Sequence, residues 1–181
     1  MTRPEPPPNL CFVASDVVIR TIRAGEAARL KAIRLEALAD SPRAFGAVYS
    51  EEAGFPDSAW VERTARSVEG LESVTFVAES DLGWIGMVVG QVAHDDRERV
   101  GIFGLWVAPA ARGADVGLRL TEAVVDWARL RDARYVSLWV IETNAGAVAF
   151  YRRAGFVETG NRKSLRRDES AIELEMARHL G

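Results

Sequence analysis

The 181-residue sequence contains a single cysteine, Cys11, and only two histidines, His94 and His179. One cysteine cannot form an internal disulfide, and three potential metal ligands so far apart do not have the spacing of a zinc site. The N-terminal residues also lack the long uninterrupted apolar stretch of a signal peptide or a membrane span. These absences predict a protein with no internal disulfide, metal or membrane anchor, and they favour a cytoplasmic location.

Neither sign of charge dominates, since 23 Lys and Arg stand against 26 Asp and Glu for a formal net charge of −3. This balance gives no electrostatic footprint for nucleic acid or an anionic lipid surface, so we expect neither partner. A hydrophobic fraction of 48% is ample for one core. The proline-rich start predicts a flexible tail over residues 1–15, followed by a single domain over residues 16–181.

The spacing of apolar residues predicts the order of elements in this domain. A β-branched run indicates a strand at residues 17–23, and helical spacing indicates helices at residues 24–39 and after Pro56. Three consecutive strands follow at residues 74–79, 84–94 and 100–107. A helix at 116–131, a strand at 135–141, a helix at 145–153 and a strand at 171–176 complete the domain. This order predicts an α/β (α+β) domain with a mixed sheet and helices on its faces.

Two segments show no sustained period and are predicted as loops. Residues 45–55 connect the first two helices, and residues 158–170 connect the last strands. The second segment contains a cluster of cationic side chains, Arg162, Lys163, Arg166 and Arg167, and we interpret it as solvated.

One stretch joins a strand to the most regular helix through a tight turn. It covers residues 105–117 and contains Pro109 and the run Arg112-Gly113-Ala114-Asp115-Val116-Gly117. The start of a helix leaves up to four N–H groups without intrahelical partners and carries about half a positive charge, so it can hold a phosphate. On its own, the turn is equally compatible with a structural entry into the helix.

A second stretch, residues 144–156, follows another strand with the pattern Asn-x-x-Ala-x-x-x-Tyr-x-x-x-Gly-Phe, which here places Asn144, Ala147 and Tyr151. Taken together, the two stretches resemble the GNAT superfamily of N-acetyltransferases, whose acetyl-CoA signature is (Arg or Gln)-x-x-Gly-x-(Gly or Ala). The resemblance extends more loosely over residues 17–177. It implies a mostly antiparallel sheet of about six to seven strands with helices on both faces.

The resemblance also implies a role for each motif residue. Leu105, Trp106 and Val107 are expected to lie along the pantetheine arm of acetyl-CoA, and a backbone N–H there would face the thioester oxygen. Tyr151 is expected to act as general acid toward the departing thiolate. The remaining cofactor-binding residues are expected to be Arg112, Gly113, Ala114, Asp115, Val116, Gly117, Asn144 and Ala147.

Asp115 departs from the family pattern, which has glycine at this position. Aspartate tolerates a left-handed backbone better than most residues. If its carboxylate faces water, repulsion of a phosphate at ~4 Å costs only about 1 kcal/mol. Burial of the carboxylate against the phosphate would cost several times more.

No general base is evident, because two positions where relatives often carry glutamate hold Gly101 and Trp139 here. The candidates are ordinary acidic residues and one histidine: Glu51, Glu52, His94, Glu98 and Glu142. A water relay is an equal alternative.

The acceptor is also undetermined by the sequence. If Trp106 and Trp139 face the cleft rather than the core, they favour an apolar or aromatic acceptor. If Glu51, Glu52 and Asp57 line it, they favour a cationic amine. The segment 158–170 would either help to close this site or form a homodimer contact.

Three functions are therefore carried forward. The first is transfer of an acetyl group from acetyl-CoA to a primary amine of a small molecule or of a peptide or protein N-terminus. The second is a non-catalytic, sensor-like domain that binds acyl-CoA. The third, a site for another phosphorylated ligand, is weakened by the absence of a P-loop motif.

Overall fold

The structure, a computed structural model, describes residues 17–165 and 168–181. The tail predicted for residues 1–15 therefore lies outside the described residues, as do Arg166 and Arg167. The helices are α1 (Ala27–Asp40), α2 (Tyr49–Ala53), α3 (Asp57–Glu69), α4 (Val116–Arg129) and α5 (Ala145–Arg153). The strands are β1 (Val18–Thr21), β2 (Ser73–Ser80), β3 (Gly83–Val92), β4 (Arg99–Val107), β5 (Tyr135–Ile141), β6 (Val157–Leu165) and β7 (Asp168–His179).

The seven strands form one sheet in the order β1-β2-β3-β4-β5-β7-β6. Every neighbouring pair is antiparallel except β4 and β5, which run parallel. A parallel pair needs a crossover, and α4 provides it between these two strands. The prediction of a mixed, mostly antiparallel sheet with helices is confirmed.

Two hydrophobic cores lie on the two faces of this sheet, because side chains alternate along each strand. Val77 and Met87 belong to the core beneath α1 and α3. Their neighbours Ala78 and Val88 belong to the other core, which includes the buried face of α4. The regular apolar spacing that predicted α4 is thus explained, although Leu130 lies beyond its last residue and is exposed.

The two predicted loops were wrong in part. Within residues 45–55, five residues form the short helix α2. Residues 158–170 belong largely to β6 and the start of β7. All but the last residue of β6 are exposed, so the strand has no apolar alternation to reveal it and depends on backbone pairing with β7.

A β-bulge interrupts β4 at Gly104, whose φ is +61°. Met87 pairs with Trp106 and Val89 with Phe103, so two residues of β4 face one residue of β3. Such an insertion bends a strand and reverses which of its later side chains face each side. Without the bulge, Ile102 and Trp106 would face the same side of the sheet, because they are an even number of residues apart. Instead, Ile102 belongs to the core of α4 and Trp106 to the core of α1 and α3.

The same bend accompanies an opening in the sheet. Backbone pairing between β4 and β5 extends only from Arg99 and Tyr135 to Gly101 and Ser137. Beyond these pairs the two strands part, and the β5-facing backbone edge of β4 after Gly101 has no strand beside it. This V-shaped opening in the middle of the sheet is the position of the candidate site.

Replacement of Gly104 by alanine should destabilise the fold by about 1–2 kcal/mol, because an L-residue is disfavoured at positive φ. The added Cβ would also lie 3.4 Å from Arg34 Nη1. Urea unfolding monitored by tryptophan fluorescence measures this cost. Gly46→Ala is the matched control, since nothing lies within 4 Å of its Cβ position and its φ is not positive. Equal stabilities for the two variants would contradict the bulge at Gly104.

Candidate active site

The turn between β4 and α4 presents backbone N–H groups at one point. Gly113 and Asp115 both have left-handed backbones, with φ of +86° and +56°. Arg119 N, which donates to Asp115 O at 2.9 Å, makes the first hydrogen bond of α4. Within the described part of the chain, the N–H groups of residues 116–118 have no carbonyl partner. This is the geometry that binds an anion at the start of a helix.

Asp115 occupies the N-cap position of α4, and its side chain makes no capping hydrogen bond. The residue is exposed, so its carboxylate stays hydrated. The left-handed backbone and the exposure of Asp115 agree with the case in which its carboxylate faces water. The cost to a nearby phosphate is therefore the smaller one, about 1 kcal/mol.

The two sequence motifs meet in space at the start of α4. A Cβ on Gly117 would lie 3.4 Å from the Phe150 ring of α5 and 3.6 Å from Val107 Cγ2 of β4. Leu105, Val107, Ala114 and Ala147 all pack against the core that includes the buried face of α4. Residues that are far apart in sequence thus line one end of the opening between β4 and β5.

The helix α5 begins at Asn144, whose Oδ1 accepts a hydrogen bond from Ala147 N at 3.1 Å. This is the N-cap role expected from the sequence. Two turns further on, Tyr151 packs edge-on against Phe150 and Phe156, at ring-centroid distances of 5.0 and 5.8 Å. Burial raises the pKa of Tyr151 above its ordinary value. Among the described residues its hydroxyl has no hydrogen-bond partner, so this donor remains available.

Arg112 makes three contacts that support the turn. Its N–H donates to Pro109 O at 3.3 Å, and its Nε donates to Val107 O at 3.0 Å. Its Nη2 forms an ion pair with Asp40, the last residue of α1. The sequence predicts phosphate contact for Arg112, and that role stays a prediction: two of its side-chain nitrogens, Nε and Nη2, already have partners in the protein.

Asp40 links α1 by hydrogen bonds to the end of β4 and to the turn that follows it. Besides Arg112, its Oδ2 accepts hydrogen bonds from Ser41 Oγ at 2.7 Å and from Trp106 Nε1 at 2.9 Å. These hydrogen bonds, that from Ser41 being the strongest influence, hold the pKa of Asp40 below its ordinary value although burial opposes this. No sequence pattern indicated Asp40, because its partners lie far along the chain.

A cavity of about 580 Å³ lies on the α1 and α3 side of the sheet, next to the bulge. Its apolar walls include Leu30, Trp60, Met87, Val89 and Phe103, and Gly104 lies at its edge. A cavity of this volume accommodates a small molecule. Trp60 Nε1 is buried and has no hydrogen-bond partner in the described part of the structure.

Glu52 lies in this cavity between two arginines. Arg34 Nη2 approaches Glu52 Oε1 at 2.9 Å, and Arg63 Nη1 approaches Oε2 at 3.0 Å. Burial works against ionisation of the Glu52 carboxyl, but the hydrogen bonds and charges of Arg34 and then Arg63 outweigh it. The pKa of Glu52 is therefore lowered. A carboxylate held in this way is a poor proton acceptor.

The other candidate bases are distributed over the surface. Glu98 pairs with Arg134 at 3.0 Å and Glu142 with Arg162 at 3.2 Å. Neither these two residues nor Glu51 lines the cavity. His94 does line it, and it also lines a smaller space of about 180 Å³ at the point where β4 and β5 part.

The structure separates the roles considered for the two tryptophans. Trp106 is buried in the core beneath α1. Trp139 instead lines the small space between β4 and β5, where Lys163 Nζ lies 4.0 Å from its ring centroid. Of the three acidic residues considered for a cationic acceptor, only Glu52 reaches the cavity; Asp57 is exposed and pairs with Lys31 at 2.8 Å.

Across residues 17–165 and 168–181, no cluster of three or more metal-ligating side chains occurs. None of the helices in these ranges is both long and apolar enough to span a membrane.

Comparison with known proteins identifies the class. Residues 34–156 match the acetyltransferase (GNAT) family, and the chain belongs to that family. It is similar to an uncharacterised N-acetyltransferase of Methanocaldococcus jannaschii, with 38% identity over 47% of this chain and 34% of the relative. It is also similar to streptothricin acetyltransferase of Streptomyces lavendulae, with 35% identity over 51% of this chain and 49% of the relative. The chain thus spans half or less of the length of these curated relatives.

The fold agrees with a solved structure over nearly its whole length. The acetyltransferase yncA of Salmonella typhimurium, determined with its cofactor acetyl-CoA, superimposes with a TM-score of 0.74. The match covers 92% of this chain and 95% of that protein at 18% identity. The resemblance found in the sequence is thereby confirmed for family and fold.

Asp40→Asn should lower the free energy of unfolding by about 1 kcal/mol at pH 7, because the ion pair with Arg112 is lost and an amide oxygen accepts weaker hydrogen bonds than a carboxylate. Since the folded-state pKa of Asp40 is depressed, its contribution is complete above the unfolded pKa of about 3.9 and disappears as the pH falls through the folded value. Denaturant unfolding between pH 7 and pH 3 should show the two proteins converging at the acid end. The control is Asp81→Asn, an exposed carboxylate without a partner among the described residues. A difference that stays constant with pH would refute this role.

Proposed function

We propose that the protein is an N-acetyltransferase that moves the acetyl group of acetyl-CoA to a primary amine. The observation that carries this proposal is the opening between β4 and β5, at which the two motifs meet while a separate cavity approaches from the opposite side at Gly104. Two substrates that enter from two sides can react at this point. Family membership supports the same chemistry.

Acetyl-CoA would lie along the opening, with its pyrophosphate at the free N–H groups that precede Arg119 in α4. Its pantetheine arm would follow the backbone of Leu105, Trp106 and Val107, which has no strand beside it on the β5 side. This arrangement needs no metal, since the helix start and the backbone donors supply the positive potential.

The amine would enter through the cavity and attack the thioester carbonyl directly. Its lone pair forms the C–N bond, the C–S bond breaks to release the CoA thiolate, and the nitrogen loses a proton to water. The thiolate then takes up a proton from water to give free CoA. The backbone beside Leu105 would stabilise the oxyanion. The Tyr151 hydroxyl would donate a hydrogen bond to the departing sulfur. Because burial raises the pKa of Tyr151, hydrogen bonding is favoured over complete proton transfer to a thiolate whose acid has a pKa near 8.5.

The acceptor class, as a small-molecule amine or a peptide or protein N-terminus, and the cytoplasmic location belong to this proposal. The alternative, an acyl-CoA sensor without turnover, draws support from Asp115. The two are distinguished by whether acetyl-CoA binding is accompanied by acetyl transfer.

Calorimetric titration should show that wild-type protein binds acetyl-CoA and that Asp115→Gly and Asp115→Asn bind it about fivefold more tightly, because ~1 kcal/mol of repulsion is removed. Only the glycine variant also relieves the left-handed backbone, so it alone should gain stability, by about 1 kcal/mol. Absence of binding by all three proteins would exclude both the enzyme and the sensor.

Tyr151→Phe should lower kcat about 100-fold or more in an amine panel assayed by release of CoA. Its melting temperature should change little, because the lost hydroxyl has no partner among the described residues. In the wild type, the raised pKa predicts no loss of activity from ionisation of this tyrosine up to about pH 10. Tyr49→Phe, on the exposed side of α2, is the matched control. Equal kcat values for the two variants would remove Tyr151 from the mechanism, and binding without turnover in the wild type would favour the sensor.

A further inference from the structure

The cavity beside the bulge carries an excess of positive charge. Three guanidinium groups line it, against two carboxylates; these residues are Arg34, Arg63, Arg66, Glu52 and Glu72. Glu52 is already shared between two of the arginines, as described above. Glu72 is exposed and lies 3.5 Å from Arg97, which offsets its charge.

Arg66 is the member of this cluster that the protein leaves without a counterion. It follows Arg63 by three residues on α3, so the two side chains lie on the same side of the helix. Arg66 is exposed, and within residues 17–165 and 168–181 its guanidinium has no ion-pair or hydrogen-bond partner. Its guanidinium therefore retains donors that can form paired hydrogen bonds with a carboxylate.

Arg34 lies beside the bulge, next to the β4 backbone assigned to the thioester. Its Nη1 would lie 3.4 Å from a Cβ built on Gly104. Because Arg34 and Arg63 share the Glu52 carboxylate, the cavity spans only a short distance from the bulge to Arg63 of α3.

We propose that the acceptor is a small amine that carries its own carboxylate and an apolar body. The carboxylate binds to Arg66 together with Arg63, the apolar part lies against Trp60, and the amine reaches the thioester at Gly104. This inference rests on the proposed acetyl transfer. Family membership does not specify the residues of this cavity. The inference assigns to them the selection of the acceptor.

Charge also argues against a polycationic acceptor. An ammonium group that enters a site with excess positive charge is disfavoured, and its pKa is lowered. For a compound with a single amine this effect helps, because the neutral amine is the form that attacks. For a polyamine the remaining ammonium groups would need acidic partners, and the only carboxylate buried in the cavity, among the described residues, is already paired twice.

The test compares matched acceptors that differ only in the carboxylate. L-leucine and L-phenylalanine are assayed against L-leucinamide, L-phenylalaninamide and spermidine, with wild type, Arg66→Gln and the control Arg23→Gln. Arg23 is exposed and does not line the cavity. We expect kcat/KM to favour each amino acid over its amide by roughly tenfold or more, and this ratio to fall toward one in Arg66→Gln through a higher KM. Arg23→Gln should keep the wild-type ratio.

A binding arm separates this inference from the proposed function. N-acetyl-L-leucine and N-acetyl-L-leucinamide are titrated calorimetrically into the CoA-saturated protein, a measurement that needs no turnover. Binding that requires the carboxylate and is lost in Arg66→Gln supports the carboxylate site even if no amine is acetylated, in which case only the enzyme proposal fails. Acetylation that favours the amides or spermidine, or equal behaviour of Arg66→Gln and Arg23→Gln, overturns the inference while the acetyltransferase stands.

Discussion

The candidate site depends on one constraint, the short parallel pairing of β4 with β5. Each antiparallel ladder in this sheet has at least four residue pairs, whereas here only three form before the strands part. The bulge at Gly104 turns β4 away and leaves one of its edges unpaired. An unpaired strand edge in the middle of a sheet is a row of available donors and acceptors, which is what a ligand with amide groups can use. The start of α4 lies just beyond this edge because the crossover that joins the two strands begins there.

Local patterns are enough to predict the turn before α4, the Asn144 cap and the place of Tyr151 on α5, since each depends on residues within a few positions of one another. Local patterns could not predict the register in which neighbouring strands pair. The bulge is one extra residue relative to β3, and nothing in the run around Gly104 distinguishes it from an ordinary glycine in a strand. Likewise, β6 is exposed on both faces and carries no periodic signal, so the segment was predicted as a loop.

The acceptor half was largely hidden for a different reason. Glu52, Arg34 and Arg63 come from α2, α1 and α3, and their association is visible only after three helices are placed on one face of the sheet. The short helix α2, which the sequence did not predict, is the element that brings Glu52 inward while Glu51 stays exposed. From the sequence, Glu52 was a possible binding group for a cationic acceptor. In the structure it is paired with Arg34 and Arg63, so the cavity has an excess of positive charge instead of negative charge.

The division of the core into two layers has a consequence for how such a protein diversifies. The residues assigned to acetyl-CoA rest mainly on the layer formed with α4 and α5, whereas the residues that face the cavity rest on the layer of α1 and α3. On the proposed function, substitutions in the second layer can change which acceptor is used without disturbing how acetyl-CoA is held. The contact that crosses between the layers is the cluster of Asp40 with Trp106 and Arg112. Descendants of this chain that acquire new acceptors are expected to vary around the cavity while retaining this cluster, and a laboratory search for altered selectivity would be directed to the same helices.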